Sequence, residues 1–527
     1  MIRINNIKLP LDYTDNDILR ACAKELRISS EAITKASLFR RSIDARHKDD
    51  IRYITSVDVW LSVSEQAALN MAKSNNAAIT DEYRYIPLVP KNINKRPLIV
   101  GTGPAGLFCA LTLAQSGIRP IVIERGSRVE ERAKAVDRMR ISAELDTECN
   151  VQFGEGGAGT FSDGKLNTGT KDGRARKVLI EFAAHGAPEE ILYNAKPHIG
   201  TDKLRDTVRS IREDLTALGA DIYFDTKLTD IITCDGVITA AEVEHNGTKR
   251  LIDCSEIVLA IGHSARDTFE LLHQMGVHTE PKPFSVGVRI EHLRENIDRS
   301  QYGATHTRLP AAYYKQNVHL QNGRGVYTFC MCPGGVVIAA QSEINSVVTN
   351  GMSEFARDQV NSNAALLVSV TPDDIQGEHA LKGMYWQREL ERKAFAAGGG
   401  DYRAPIARVG DFLRGEKTVR LGEVLPSYLP GTNFARMEDI LPPFVTDSLR
   451  EAIPLIDRKL HGFCHPDAVL TAVESRSSSP IRITRGESMQ SVSLKGLYPC
   501  GEGAGYAGGI VSAAVDGVKV AEKILLT

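Results

Sequence analysis

The chain has 527 residues, enough for roughly three or four domain-sized units and a large buried core. Its 42% hydrophobic and 25% charged residues exclude disordered, collagen-like and coiled-coil classes. A formal charge of −2 gives no global pull toward nucleic acid or an anionic membrane.

In chain order, Ile2–Leu9 reads as a strand and Asn16–Leu26 as an amphipathic helix with Asp15 as its N-cap. Residues 33–46 and 51–62 alternate around the polar turn HKDD and predict an antiparallel hairpin, with a helix over 64–73 behind it. Residues 85–96 are rich in Pro and Asn and read as a linker. Residues 98–118 carry no charge, but four glycines and Pro104 point to a strand, a turn and a helix instead of a membrane span. Helices are predicted over 127–139, 174–184 and 203–218. Strands follow over 220–261, ending in the apolar run EIVLAIG. The topology of 275–485 is not readable from pattern. GLYPC then predicts a buried strand (496–500), followed by the turn GEGAGYAGG and a terminal helix over 510–526.

GTGPAG leaves the first apolar strand and opens a helix, the context that gives GxGxxG its meaning. Gly101 permits the tight turn, Gly103 lets backbone approach a pyrophosphate, and Gly106 lets the helix pack on the strand. Pro104 and Ala105 begin the helix, whose N–H groups and dipole face the anion. Glu124 ends the second strand, 23 residues after Gly101, where a carboxylate accepts from a ribose hydroxyl; Arg125 follows it.

With the C-terminal strand–turn–helix, these motifs resemble the FAD-dependent oxidoreductases of the glutathione-reductase-like superfamily. The resemblance implies that Glu502, after Gly501, replaces the Asp that holds the ribityl chain. It also implies that Gly508, Gly509 and Ile510 present N–H groups to the flavin N1/O2 edge. The Gly-rich segment 154–169 stands where that superfamily passes a loop beside pyrophosphate and flavin. Gly157, Ala158, Gly159 and Thr160 would line the cofactor, and Asp163 or Lys165 would touch cofactor or substrate. Ala260 and Gly262 fall near the adenosine half, and Lys227 and Leu228 supply a backbone pair at the adenine edge. Over nearly its whole length the chain is similar to a bacterial group of FAD-dependent dehydrogenases. They share the small N-terminal unit, CMCPGG (330–335), the segment 471–482 and CGEGAGYAGGI (500–510). That resemblance names a cofactor and a fold, not a reaction.

The candidate chemistry lies in Cys330, Cys332 and Arg476. Two thiols one residue apart suit a strained, exchangeable disulfide; two small residues packed in a strand are the competing and preferred reading. Arg476 and Arg482 are forked donors for a carboxylate or phosphate, or members of a solvated loop. His263 is a candidate acid/base or adenosine-site residue. Cys500 reads as a packed thiol. No metal is expected, since one CxC lacks the further ligands of a zinc site.

The expected fold is α/β: a Rossmann-like FAD-binding domain (93–275 and 486–527) with an inserted α+β substrate domain (276–485) and a small α+β N-terminal domain (1–92). The expected function is an FAD-dependent oxidoreductase acting on a small-molecule substrate, with NAD(P)H as a transient electron donor. The alternative is an RNA-associated flavoprotein. Residues 1–96 hold 16 Lys/Arg against 12 Asp/Glu, with Arg40, Arg41, Arg46 and Lys48 near one hairpin. So small an excess is more often a solvated face, and nucleic acid is not the expected partner. Nine scattered cysteines and the lack of an apolar leader in residues 1–15 point to the cytoplasm.

Overall fold

A computed structural model describes residues 1–91, 95–162 and 164–526. The N-terminal unit is a four-stranded antiparallel sheet of β1 (Ile2–Leu9), β2 (Ile33–Asp44), β3 (Arg52–Leu61) and β4 (Ala77–Ile79), in the order β2-β3-β1-β4. Two helices accompany it, α1 (Asp15–Leu26) and α2 (Glu65–Met71). The N-cap of α1 is Thr14, not Asp15: Thr14 and Asp17 form a reciprocal capping box. The core of this unit gathers Ile2, Ile4, Leu26, Val57 and Val59.

The second unit is built on β5 (Leu98–Val100), α3 (Pro104–Gln115), β6 (Ile121–Ile123), α4 (Val129–Ser142), α5 (Arg174–Ala184), α6 (Thr201–Ala217) and β7 (Asp221–Tyr223). It continues through the meander β8 (Thr226–Cys234), β9 (Val237–His245) and β10 (Thr248–Asp253), then β11 (Ile257–Leu259) and α7 (Arg266–Gln274).

A third unit begins with β12 (Thr279–Pro281) and β13 (Phe284–Leu293), then α8 (Arg294–Tyr302), β14 (Asn317–His319), β15 (Gly325–Cys332), β16 (Val336–Ala339), β17 (Thr349–Met352) and β18 (Asn361–Val370). It continues with α9 (Lys382–Gly398), β19 (Ala404–Arg408), α10 (Val409–Arg414), β20 (Thr432–Phe434), α11 (Pro443–Asp457) and β21 (Val469–Glu474). Seven of its strands form one sheet, ordered β14-β15-β18-β13-β21-β19-β20. After β22 (Ile481–Ile483), which pairs with β12, the chain returns through β23 (Leu497–Pro499) and α12 (Ile510–Leu526).

The return completes a parallel five-stranded sheet, β23-β11-β5-β6-β7. Such a sheet needs cover on both faces. Helices α3, α5, α6 and α12 cover one face, and the meander with α7 covers the other. Helices α3 and α12 cross closely because Gly517 has no side chain: a Cβ there would stand 2.0 Å from the Ala105 carbonyl oxygen. The architecture is α/β with a Rossmann-type sheet. No described helix is long and apolar enough to cross a membrane.

Candidate functional site: a cleft between the sheets

Both glycine turns, after β5 and after β23, sit at the carboxyl ends of parallel strands and open onto one cleft of about 1000 Å³. Gly101 (φ +102°) makes the turn. A Cβ on Gly106 would stand 1.9 Å from the Gly101 carbonyl oxygen, so α3 seats on β5 only with glycine there. Gly157 (φ +68°) faces Gly103 across the cleft wall, and a Cβ on Gly157 would lie 2.8 Å from the Gly103 Cα. Gly101, Gly103, Pro104, Ala105, Gly157, Ala158 and Gly159 line the cleft; Gly106 and Thr160 stand behind it. The Asp163 expectation falls outside the described residues.

Glu124 lines the cleft and is only 6% exposed. Its Oε2 accepts from the Thr102 N–H (2.9 Å) and hydroxyl (2.8 Å), and its Oε1 from the N–H groups of Gly126 (3.1 Å) and Gly154 (3.0 Å). Four donors fill the usual capacity of a carboxylate. Glu124 is therefore a clamp on three loops, a role that spacing from the glycine motif did not show.

Beneath that loop lies Arg132 of α4, fully buried. It donates to the carbonyls of Asn150, Val151, Gly154, Glu155 and Gly157 at 2.6–3.1 Å. Burial lowers its guanidinium to about 10. No sequence pattern marks this residue, because an arginine on a polar helix reads as solvated.

At the next stretch of wall, Arg125 donates to Asp267 (2.9 and 3.0 Å) and Glu148 (2.8 Å), and Lys227 pairs with Asp267 at 2.5 Å. These charges are committed to one another. Lys227 and Leu228 lie on β8, the edge strand of its three-stranded sheet, and both line the cleft with Ala260 and Gly262.

On the C-terminal turn, Gly501 sits behind the wall, its N–H donating to Asp516 (2.8 Å), which Arg485 holds. Glu502, Gly508, Gly509 and Ile510 line the cleft at the start of α12. The Gly508 N–H donates to the Ser512 hydroxyl (3.2 Å), which removes it from the donors expected to face a ligand. The first turn of α12 leaves further N–H groups without intrahelical partners. His263 stands on the wall 3.5 Å from Glu502, and its Nε2 is shielded from solvent with no hydrogen-bond partner among the described residues. Cys500 is fully buried, and burial pushes its thiol well up, as a packed residue requires.

The far end of the cleft is contributed by the seven-stranded sheet. Cys330 is half-exposed on the wall, and Cys332 is buried behind it. Lys165 Nζ lies 3.5 Å from Cys330 Sγ and 3.3 Å from Cys332 Sγ. Arg289 donates to the Cys330 carbonyl (2.9 Å) and pairs with Glu474 at 3.1 Å. Burial raises the Glu474 carboxyl to about 7, against the pull of Arg289.

Arg476 reaches the wall, but its guanidinium is not a free fork. It binds buried Glu391 through two bonds (2.9 and 2.7 Å) and donates to Ser264 (3.1 Å) and Ser342 (2.7 Å). Arg266 grips the same carboxylate, which the two arginines hold far below the usual range. Four of the five Arg476 donors are thus committed within the protein, and one N–H remains at the cleft wall where the sequence placed a catalytic contact. Arg482 is outside the cleft wall, over the Tyr506 ring. The N-terminal basic run is likewise engaged. Arg41 donates to Tyr13 and Asn194, Arg46 to Asp44 and Lys48 to the Ser300 carbonyl, while Arg40 lines the cleft.

The comparisons agree with this geometry. Residues 96–153 match the FAD binding domain family, and residues 283–477 match "FAD-dependent protein, C-terminal domain-like". Residues 1–60 match a domain of unknown function. The chain is an FAD-binding flavoprotein. It belongs to the same family as an uncharacterized protein of Clostridium beijerinckii, 47% identical over 529 residues, which span 99% of this chain and 98% of that protein. Among solved structures it is similar to a geranylgeranyl bacteriochlorophyll reductase-like protein of Thermoplasma acidophilum (11% identity, 82% of this chain and 78% of that one, TM-score 0.35). Another is glycine oxidase of Bacillus cereus (12%, 81% and 94%, TM-score 0.32).

The residues present fit FAD. Side chains that would fill the cradle are missing at Gly101, Gly103 and Gly157, and the buried His263 Nε2 lacks a hydrogen-bond partner among the described residues. The cleft is at the upper end of the size range of ligand sites.

Proposed function

We propose that the protein is an FAD-dependent oxidoreductase of the glutathione-reductase-like superfamily, holding one FAD non-covalently in this cleft. The observation that carries the reading is the pairing of two strand–glycine turn–helix units, β5–α3 and β23–α12, at one cleft. When bound, the flavin supplies two-electron chemistry. The α3 N-terminus and the Gly157–Gly159 backbone hold the pyrophosphate, and the edge of β8 at Lys227 and Leu228 takes the adenine. Glu502 takes the ribityl chain, and the start of α12 stabilises negative charge at the pyrimidine edge. Glu124 and Arg132 act through the loops they fix.

We take the domains as 1–92, 93–275 with 486–527, and 276–485, the last supplying the substrate side and the N-terminal unit closing it through Phe39 and Arg40. The cleft lining includes Arg40, Lys171, Arg176, Lys196 and Lys315, a positive field that favours an anionic substrate. NAD(P)H is proposed as a transient donor, and nine cysteines with no disulfide among the described residues suit the reducing cytoplasm.

Denaturing the purified protein should release FAD at one per chain. A colourless protein that cannot be reconstituted with FAD overturns the reading. An anaerobic screen of reductants and oxidants against the yellow protein then identifies the substrate, with hits expected among carboxylates and phosphates.

A further inference from the structure

We propose that Cys330 and Cys332 are a dithiol–disulfide couple that exchanges two electrons with the flavin of the shared cleft, with Lys165 as its positioning residue. The proposal rests on the FAD reading above.

Three features separate this pair from two packed core thiols. Strand β15 is irregular at the pair. Its register against β18 slips between Phe329 and Cys332, and Cys330 takes φ +43°, a left-handed conformation rare outside glycine. A strained backbone of that kind persists only when its surroundings enforce it. Here they do, since Arg289 holds the Cys330 carbonyl at 2.9 Å. Second, both sulfurs lie within 3.5 Å of one ammonium, that of Lys165. A neighbouring cation favours the thiolate, the reactive form. Third, exposure is graded: Cys330 is on the cleft wall while Cys332 is fully buried. That arrangement makes Cys330 the outer, exchanging sulfur and Cys332 the resolving one.

The step balances within the cleft. The Cys330–Cys332 S–S bond would break and two S–H bonds form, taking two electrons and two protons from a reduced flavin and leaving it oxidised. The reverse oxidises the dithiol. The buried Glu474 carboxyl, raised to about 7 and held by the same Arg289, is placed to share the proton traffic.

Two measurements test the proposal. Protein as purified, before any added cofactor, is treated with diamide, denatured, alkylated and peptide-mapped. The peptide carrying both cysteines should be unalkylated and two hydrogens lighter; in Cys330→Ser it should not be. Alkylation of both cysteines in the treated wild type overturns the couple. The FAD-loaded protein is then titrated anaerobically with dithionite. Wild type should take four electrons per FAD and the Cys330→Ser/Cys332→Ser variant two. Two electrons in both overturns exchange with the flavin. If the double variant does not fold, Cys330→Ser alone, at the half-exposed position, serves. Absence of FAD from the protein would sink the cofactor reading and leave the mapping result standing, so the two failures are distinct. In Lys165→Met, alkylation of Cys330 near pH 7 should slow about tenfold, the effect of roughly one unit of thiol pKa, and Lys165→Arg should restore it. An unchanged rate removes Lys165 from the proposal.

Discussion

The two ends of the cleft are held by different means. At the glycine end the wall is backbone, and Glu124 and Arg132 stabilise it by binding N–H and carbonyl groups. At the cysteine end the wall is side chain, and charges bind charges: Arg266 and Arg476 on Glu391, Arg289 on Glu474, Lys165 beside two thiols. A backbone wall is specified by a few contiguous residues that must be small. A side-chain wall is specified by partners far apart in sequence, each costly to leave unpaired in a low dielectric.

The contrast predicts where each end breaks. The largest effect should come from Glu391→Gln, which leaves two buried guanidinium groups facing a neutral amide. Losing one partner of a buried ion pair costs about 3–5 kcal/mol, read as a lower denaturant midpoint. A change under about 1 kcal/mol would mean that Glu343, which also pairs with Arg266 at 2.5 Å, offsets the loss. At the other end, Gly106→Ala drives a methyl into the Gly101 carbonyl. FAD affinity should fall at least about a hundredfold, near 3 kcal/mol, in fluorescence titrations; near-normal affinity would show that α3 shifts without cost.

Glu124→Gln comes next. Its amide would turn a donor toward backbone N–H groups, at about 1–3 kcal/mol. Because Glu124 clamps loops, thermal stability should drop without FAD as well as with it. A loss confined to the FAD-bound form would restore the ribose-acceptor role. A separate expectation concerns pH dependence. Burial raises Glu474 and Glu155 to about 7, above the 4.5 of an ordinary glutamate. Their contribution is fully present below 4.5 and is lost as pH rises through 7. Stability should therefore decline across that window, and Glu474→Gln should flatten part of the decline; an unchanged slope would assign it to other groups.

The sequence by itself determined the nucleotide half. GTGPAG and GEGAGYAGG each sit between an apolar strand and a helix, and the bounds 174–184 and 510–526 were legible to the residue because helix periodicity and caps are local signals. Segment 275–485 was not legible, since β13, β18, β15 and β21 pair across tens to more than a hundred residues and no local pattern records which strand lies beside which. The same distance hid the site's partners. Nothing near Arg476 announces Glu391, nothing near Cys330 announces Lys165, and Arg132 reads as surface until five carbonyls close around it. Glycine motifs act through the conformation of their own few residues, so a sequence can display them. A buried charge or a reactive thiol is defined by what the rest of the chain brings within 3 or 4 Å, and only the tertiary structure decides that.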